Sequence, residues 1–148
     1  MQFDANRVAA ALIGSWSIAT SGNWLADNPA RGQCNVTALL INELFGGEIL
    51  KTPLPEGDHF YNRIGAERID LTASQFDGPV HYQDAASSRE EALAGTSLAK
   101  YGSLRAAFAK HFEGRKGNGE LASARIPATD AQVRLASAAP RRHSCRRR

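Results

Sequence analysis

The apolar residues of this chain change period twice. Between Val8 and Phe45 they fall at helical spacing, from Ile49 to Leu71 they fall in short strand-like runs, and from Ala92 to Phe112 the helical spacing returns. Side chains repeat on one face every 3.6 residues in a helix and every 2 in a strand, so such a chain must place its strands together in the middle, between helices. That order predicts an α+β domain in which an N-terminal helix and a second helix precede a small antiparallel sheet, with C-terminal helices closing it. A length of 148 residues suffices for one core and not for two.

The boundaries follow from the punctuation. Residues 4–19 carry Val8, Ala11, Leu12, Trp16 and Ala19 on one helical face, with Asp4 as N-cap. The run TSGNWLADNPARG reads as a loop. A second helix spans about Cys34 to Phe45 and stops at Gly46-Gly47. EILKTPL is a strand closed by Pro53 and Pro55-Glu56-Gly57, and HFYNRI and ERIDLT form a hairpin about Gly65-Ala66. Helices across Ser88–Ala94 and Ser97–Phe112 follow, the first opened by Ser88-Arg89-Glu90-Glu91, which puts acids at the positive end of the helix dipole.

Charge divides the chain at residue 112. Residues 1–112 hold nine Lys and Arg against twelve Asp and Glu, whereas residues 113–148 hold nine against three. The folded part is thus mildly acidic, which excludes a core that grips phosphates with a basic face and so argues against nucleic acid as its partner. The segment 113–148 has few large apolar residues and no sustained period, and is expected to be a disordered basic tail. Its Arg141, Arg142, Arg146, Arg147 and Arg148 read as solvated charge, with no aromatic residues interleaved. No run is apolar enough for a membrane helix or a secretory leader. Cys34 and Cys145 make no disulfide framework, so both read as free thiols, and a cytoplasmic location is expected.

Cys34 opens the second helix. There the orphan N–H groups and the dipole favour an anion, and the anion of a thiol is its nucleophilic form. The same N–H groups suit the oxygen of a tetrahedral intermediate. A nucleophilic cysteine needs a base, and the base an orienting group. His59 begins the first hairpin strand and Asp70 lies on the second, where Ile69 and Leu71 point to the other face. A turn near Gly65-Ala66 sets positions 59–62 roughly opposite 69–72, within hydrogen-bond reach. Each residue alone has a plainer reading: a buried small hydrophobe, a structural histidine, a surface aspartate. Together, in the order helix, strand, next strand, they predict a Cys34–His59–Asp70 catalytic triad.

The order of these residues and the Gly32-Gln33-Cys34 tripeptide resemble the papain-like superfamily, and particularly its transglutaminase-like branch. More closely, Trp16, Thr20, Trp24, Gly32-Gln33-Cys34, Thr37-Ala38-Leu39, Phe45-Gly46-Gly47, His59-Phe60-Tyr61-Asn62 and Ile69-Asp70-Leu71-Thr72 resemble the YunG-like family of small bacterial proteins; the start of the Arg89-Glu90-Glu91 helix and Tyr101 look similar too. The resemblance covers most of residues 10–112. It implies a minimal papain-like/transglutaminase-like domain over residues 1–112. The wider superfamily implies Cys34 as nucleophile, His59 as general base and then acid, and Asp70 as orienter. Asn35 stands where transglutaminases have Trp, and Gln33 adjoins the cysteine where papain-like proteases place their glutamine several residues earlier. The oxyanion donor is therefore open among the Cys34 N–H, Gln33, Asn23 and Trp24, whose indole has loop anchoring as its alternative.

Tyr61 alternates onto the His59 side of the sheet, where it either lines the cleft or packs. Thr72 and Gln75 most simply cap and begin a short turn. His81 lacks the ligand spacing of Cys/His metal sites, so no metal and no cofactor is expected. The sequence thus predicts a thiol hydrolase or acyltransferase acting on an amide, ester or thioester of a small-molecule or peptide acyl substrate. The alternative is a non-catalytic binding module on the same fold.

Overall fold

Asp4 starts the first helix as expected, its carboxylate accepting the Arg7 N–H at 2.9 Å, but α1 (Ala5–Ser15) ends four residues short of Ala19. The chain leaves the helix because Ser17 and Thr20 take over its hydrogen bonds. The Ser17 N–H donates to Thr20 Oγ1 at 2.9 Å and the Ala19 N–H to Ser17 Oγ at 3.1 Å, closing a side-chain-mediated turn. The computed structural model describes residues 1–115 and the backbone of residues 134–136.

The remaining elements are α2 (Cys34–Phe45), β1 (Glu48–Leu54), β2 (Gly57–Ile64), β3 (Glu67–Asp70), a single 3-10 turn (Ala73–Gln75), β4 (Ala85–Ala86), α3 (Arg89–Ala94), α4 (Leu98–Gly114) and β5 (Arg134–Ala136). β1, β2 and β3 form an antiparallel meander with β4 added beside β1, giving a small sheet in the order β4-β1-β2-β3. Asn62 pairs with Ile69 and Arg63 with Arg68 about the Gly65-Ala66 turn. β3 stops at Asp70, two residues earlier than alternation suggests, because its carboxylate captures the Thr72 N–H at 3.1 Å and turns the chain into the 3-10 segment.

Of the segment 113–148, Glu113 and Gly114 complete α4, and Arg134–Ala136 pair with β3 as β5, using hydrogen-bonding groups at what would otherwise be an open edge. The rest of that segment, Cys145 and the arginines included, lies outside the described residues.

α2 is the centre of the core. Val36, Ala38, Leu39, Leu40 and Ile41 are each at most 1 % exposed, so the middle of the helix is covered, with Glu43 exposed near its end. One side meets the sheet through Ala38 and Leu39 against Ile49 and Phe60, and Asn62 Nδ2 donates to the Ala38 carbonyl at 3.0 Å. The other side, with Leu40 and Ile41, joins Val8 and Leu12 of α1 and Leu104 and Phe108 of α4. Burying one such Leu or Ile contributes about 1.5–3 kcal/mol. The packing holds the start of α2 beside the start of β2. The opposite face of the sheet, with Thr52, His59, Tyr61 and Asp70, is covered by residues 76–84, which fold back over it.

Candidate active site

His59 and Asp70 meet inside the protein. His59 Nε2 and Asp70 Oδ2 are 2.7 Å apart, and each side chain is 1 % exposed. Register explains the meeting. With Asn62 paired to Ile69, the next residue, Asp70, falls beside Tyr61, one diagonal step from His59. The carboxylate is held from three further sides: the Thr72 N–H and Thr72 Oγ1 reach Oδ1 at 3.1 and 3.4 Å, and the Tyr82 hydroxyl donates to Oδ2 at 2.7 Å. A buried charge persists only with such partners.

Phe76 packs edge-on against the imidazole, with centroids 4.8 Å apart, and blocks its free rotation. Burial by itself lowers the proton affinity of His59, but the hydrogen bond to Asp70 and, next, the neighbouring Cys34 thiol outweigh it and lift the pKa to about 9. The second ring nitrogen, Nδ1, is buried with no hydrogen-bond partner among the described residues.

Cys34 is the first residue of α2, and the described residues include no disulfide to it. Its thiol donates to Asn35 Oδ1 at 3.4 Å, while Asn35 Nδ2 donates to the Ala92 carbonyl at 2.8 Å and so ties α3 to the tip of α2. Two crevices meet at the sulfur. One, of about 390 Å³, is walled by Asn23, Arg31, Gly32, the Leu54–His59 turn, Gln75 and Phe76, and contains both Cys34 and His59. The other, of about 680 Å³, runs between Asn23, Asn35, Asp58 and Phe60 on one hand and Glu91, Gly95 and Lys100 on the other. Cys34, Asn23, Gly32, Glu56, Gly57 and Asp58 belong to both. Lys51 bridges their rim from Asp58, at 3.0 Å, to Glu91.

The four oxyanion candidates fare differently. Gln33 is fully buried and its amide is occupied: Oε1 accepts from Thr20 Oγ1 at 2.8 Å and Nε2 donates to the Ser17 carbonyl at 3.5 Å. Its helical backbone at the start of α2 turns it into the loop rather than toward the sulfur. Trp24 packs against the α1–α2–α4 core and is not among the crevice residues, and its indole N–H is buried with no partner among the described residues. Asn23 does line both crevices, and the Cys34 N–H heads a helix whose first turn has no intrahelical acceptors.

Tyr61 lies on the His59 side of the sheet, as alternation predicts, but 2 % exposed and beneath the crevice. Its hydroxyl is shared among Thr52 Oγ1 at 2.8 Å, Asp84 Oδ1 at 2.9 Å and the Asp84 N–H at 2.9 Å, so it packs rather than lines. Burial and the Asp84 carboxylate, opposed by the Thr52 hydroxyl and the Asp84 N–H, raise its pKa to about 12. His81 is exposed on the covering segment, and no cluster of three or more His, Cys, Asp or Glu side chains among the described residues is arranged to hold a metal. Tyr82, Phe76 and Asn35 are the site neighbours that the sequence pattern did not single out. Of these, Asn35 alone carried a signal, as a departure from the Trp that follows GQC in transglutaminases.

No helix among the described residues is long and apolar enough to cross a membrane. No solved structure matches the chain. A Bacillus subtilis (strain 168) protein named "Uncharacterized protein YunG" is 47 % identical over 97 residues, which make up 66 % of this chain and 84 % of that relative. A family model described as "YunG protein" matches residues 4–113. That span contains α1, α2, α3, the β1–β3 meander and every residue of both crevices, and the chain belongs to the YunG family.

Proposed function

We propose that this protein is a cysteine acyl-transfer enzyme, a thiol hydrolase or acyltransferase on a papain-like/transglutaminase-like scaffold, with Cys34 as nucleophile, His59 as general base and acid, and Asp70 as the group that orients His59. The observation that carries the reading is the buried 2.7 Å pair of His59 and Asp70, whose free Nδ1 edge and the Cys34 sulfur share one crevice. Surface ion pairs seldom justify a mechanism, but this pair is removed from water, fixed by Thr72 and Tyr82, and adjacent to a cysteine at a helix tip.

In this reading a histidine with a pKa near 9 is an imidazolium at neutral pH. A protonated imidazole beside sulfur is the arrangement that sustains a thiolate. The thiolate attacks the acyl carbonyl carbon and its oxygen takes the electron pair, facing the amide N–H of Cys34. His59 then gives its proton to the leaving amine, alcohol or thiol. Water or a second nucleophile, deprotonated by His59, resolves the thioester. The larger crevice is walled mainly by Thr, Ser, Asn and charged residues with glycines between, which suits a polar, extended acyl substrate, while Leu54 and Phe76 give the smaller one an apolar wall beside Cys34 and His59.

The resting thiol hydrogen bond to Asn35 favours the second reading, a binding module that keeps these residues for stability. Iodoacetamide labelling of the full chain near neutral pH, resolved by peptide mass, separates the two. The enzyme reading expects Cys34 to alkylate at least tenfold faster than Cys145, despite being 9 % exposed, and expects that preference to vanish in His59→Gln. Equal rates at both cysteines would sink it.

A further inference from the structure

Gln75 lines the crevice that holds Cys34 and His59, and one half of its amide is committed while the other is not. Its Oε1 accepts the Gly32 N–H at 3.3 Å, which fixes which end of the amide is oxygen. Its backbone carbonyl accepts Asn28 Nδ2 at 3.2 Å, so the residue is anchored at both ends to the loop that leads into Cys34. Nε2 is buried with no partner among the described residues, although Gln75 lines the crevice that holds Cys34 and His59. Leaving a buried donor unpaired costs free energy comparable to a lost hydrogen bond. An unpaired N–H pair in a crevice wall, on an amide that cannot flip without breaking its bond to Gly32, is a preorganised donor for an acceptor that arrives with the substrate.

Resting on the acyl-transfer reading above, we infer that Gln75 is a catalytic residue, its Nε2 donating to the oxygen of the tetrahedral intermediate formed on Cys34. It supplies the side-chain donor that Gln33 does not, since the Gln33 amide is spent on Thr20 and Ser17. Gly32 serves as the hinge point between the two, because it binds Gln75 Oε1 and stands two residues before the sulfur. With p-nitrophenyl acetate, the Cys34 thiolate forms a C–S bond to the carbonyl carbon, and the π pair moves to the oxygen under the N–H groups of Gln75 and Cys34. The pair returns as the C–O bond breaks and His59 gives its proton to the departing p-nitrophenolate oxygen, which leaves the imidazole neutral. Water, losing a proton to His59, then adds to the thioester, and the sulfur leaves as acetate forms.

Two reactions at the same sulfur test this. Alkylation by iodoacetamide displaces iodide and develops no oxyanion, whereas acylation by p-nitrophenyl acetate does. In the full chain, Gln75→Ala should lower the rate of Cys34 acylation about 100-fold, the usual cost of one oxyanion donor, and leave Cys34 alkylation unchanged. Gln75→Glu keeps the acceptor for the Gly32 N–H and the side-chain shape. It covers the case in which the alanine variant unfolds, and its ratio of acylation to alkylation should fall as well. If that ratio stays at its wild-type value in the folded variants, Gln75 merely walls the crevice and the assignment is overturned. If wild-type Cys34 reacts no faster than Cys145 with either reagent, the acyl-transfer reading fails and this assignment falls with it.

Discussion

The Tyr82 hydroxyl and the His59 imidazole converge on one atom, Asp70 Oδ2, each at 2.7 Å. Tyr82 comes from the segment that folds back over the sheet, and its ring is fixed independently, edge-on to Tyr61 at 4.9 Å and under the Arg68 guanidinium at 4.4 Å. Removing only the hydroxyl therefore takes away its bond to Asp70 while keeping these ring contacts. Tyr82→Phe should lose about 1.5–3 kcal/mol of stability, as befits a hydrogen bond to a buried charge. A urea titration measures that loss. As a positioning residue, Tyr82 should also matter to reactivity: the pH dependence of Cys34 alkylation should shift in Tyr82→Phe. A purely structural role would leave that profile in place.

His59 should make stability fall on the alkaline side. Its pKa rises from 6.5 to about 9 on folding, because Asp70 and then Cys34 outweigh the opposing effect of burial. The folded state thus holds this proton more tightly than the unfolded chain, so the contribution is complete below pH 6.5 and disappears as pH climbs through about 9. The stability difference between wild type and His59→Gln should shrink by up to about 3 kcal/mol across that window. Urea midpoints measured at several pH values check it. A difference that stays flat or grows with pH contradicts the raised value.

Asn35 holds two things at once, the Cys34 thiol on its oxygen and the Ala92 carbonyl on its nitrogen. Asn35→Asp keeps the size, removes the donor to α3 and sets a negative charge beside the sulfur. Like charge at that distance should slow Cys34 alkylation about tenfold or more. Asn35→Ala loses the tie to α3, at about 1 kcal/mol, but leaves no charge, so its thiol should alkylate at least as fast as in the wild type. An aspartate variant that alkylates at the wild-type rate would mean that the sulfur does not rest on residue 35.

What could be read from the sequence was whatever local pattern decides. Period placed α2 and the three meander strands, and the Gly65-Ala66 turn fixed a register from which the nearness of His59 and Asp70 follows by counting. The residues around that pair were illegible for a physical reason. Tyr82 and Phe76 belong to an irregular stretch whose return over the sheet is set by bonds such as Gln83 N–H to Thr52 and Asp84 N–H to Tyr61, which no periodicity announces. Gln33 and Gln75 exchange their expected parts because the direction of a glutamine amide depends on partners 13 and 43 residues away in the chain, Thr20 for one and Gly32 for the other. Trp24 and Tyr61 show the same limit: adjacency and alternation give the side of an element, not the depth.

Gly32 offers the sharpest test of how tightly the approach to Cys34 is built. Its φ is +72°, and a Cβ there would stand 2.5 Å from Ser21 Oγ and 2.9 Å from Asn23 Cβ. The left-handed backbone alone costs an L-residue about 1–2 kcal/mol, and the contact with Asn23 adds to it because Asn23 is itself part of the crevice wall. Gly22, ten residues earlier in the same loop, has open space around it, and a Cβ there meets nothing within 4 Å. Gly32→Ala should therefore lower stability by about 2–4 kcal/mol while Gly22→Ala changes it by less than about 0.5 kcal/mol. Because the shift would displace the Gly32 N–H from Gln75 Oε1, folded Gly32→Ala should acylate poorly yet still alkylate at Cys34. Urea titration of the two variants, with both thiol reagents applied to each, decides it. Equal behaviour of the two alanines would show that the loop before α2 tolerates rearrangement, and that the geometry around the sulfur does not depend on it.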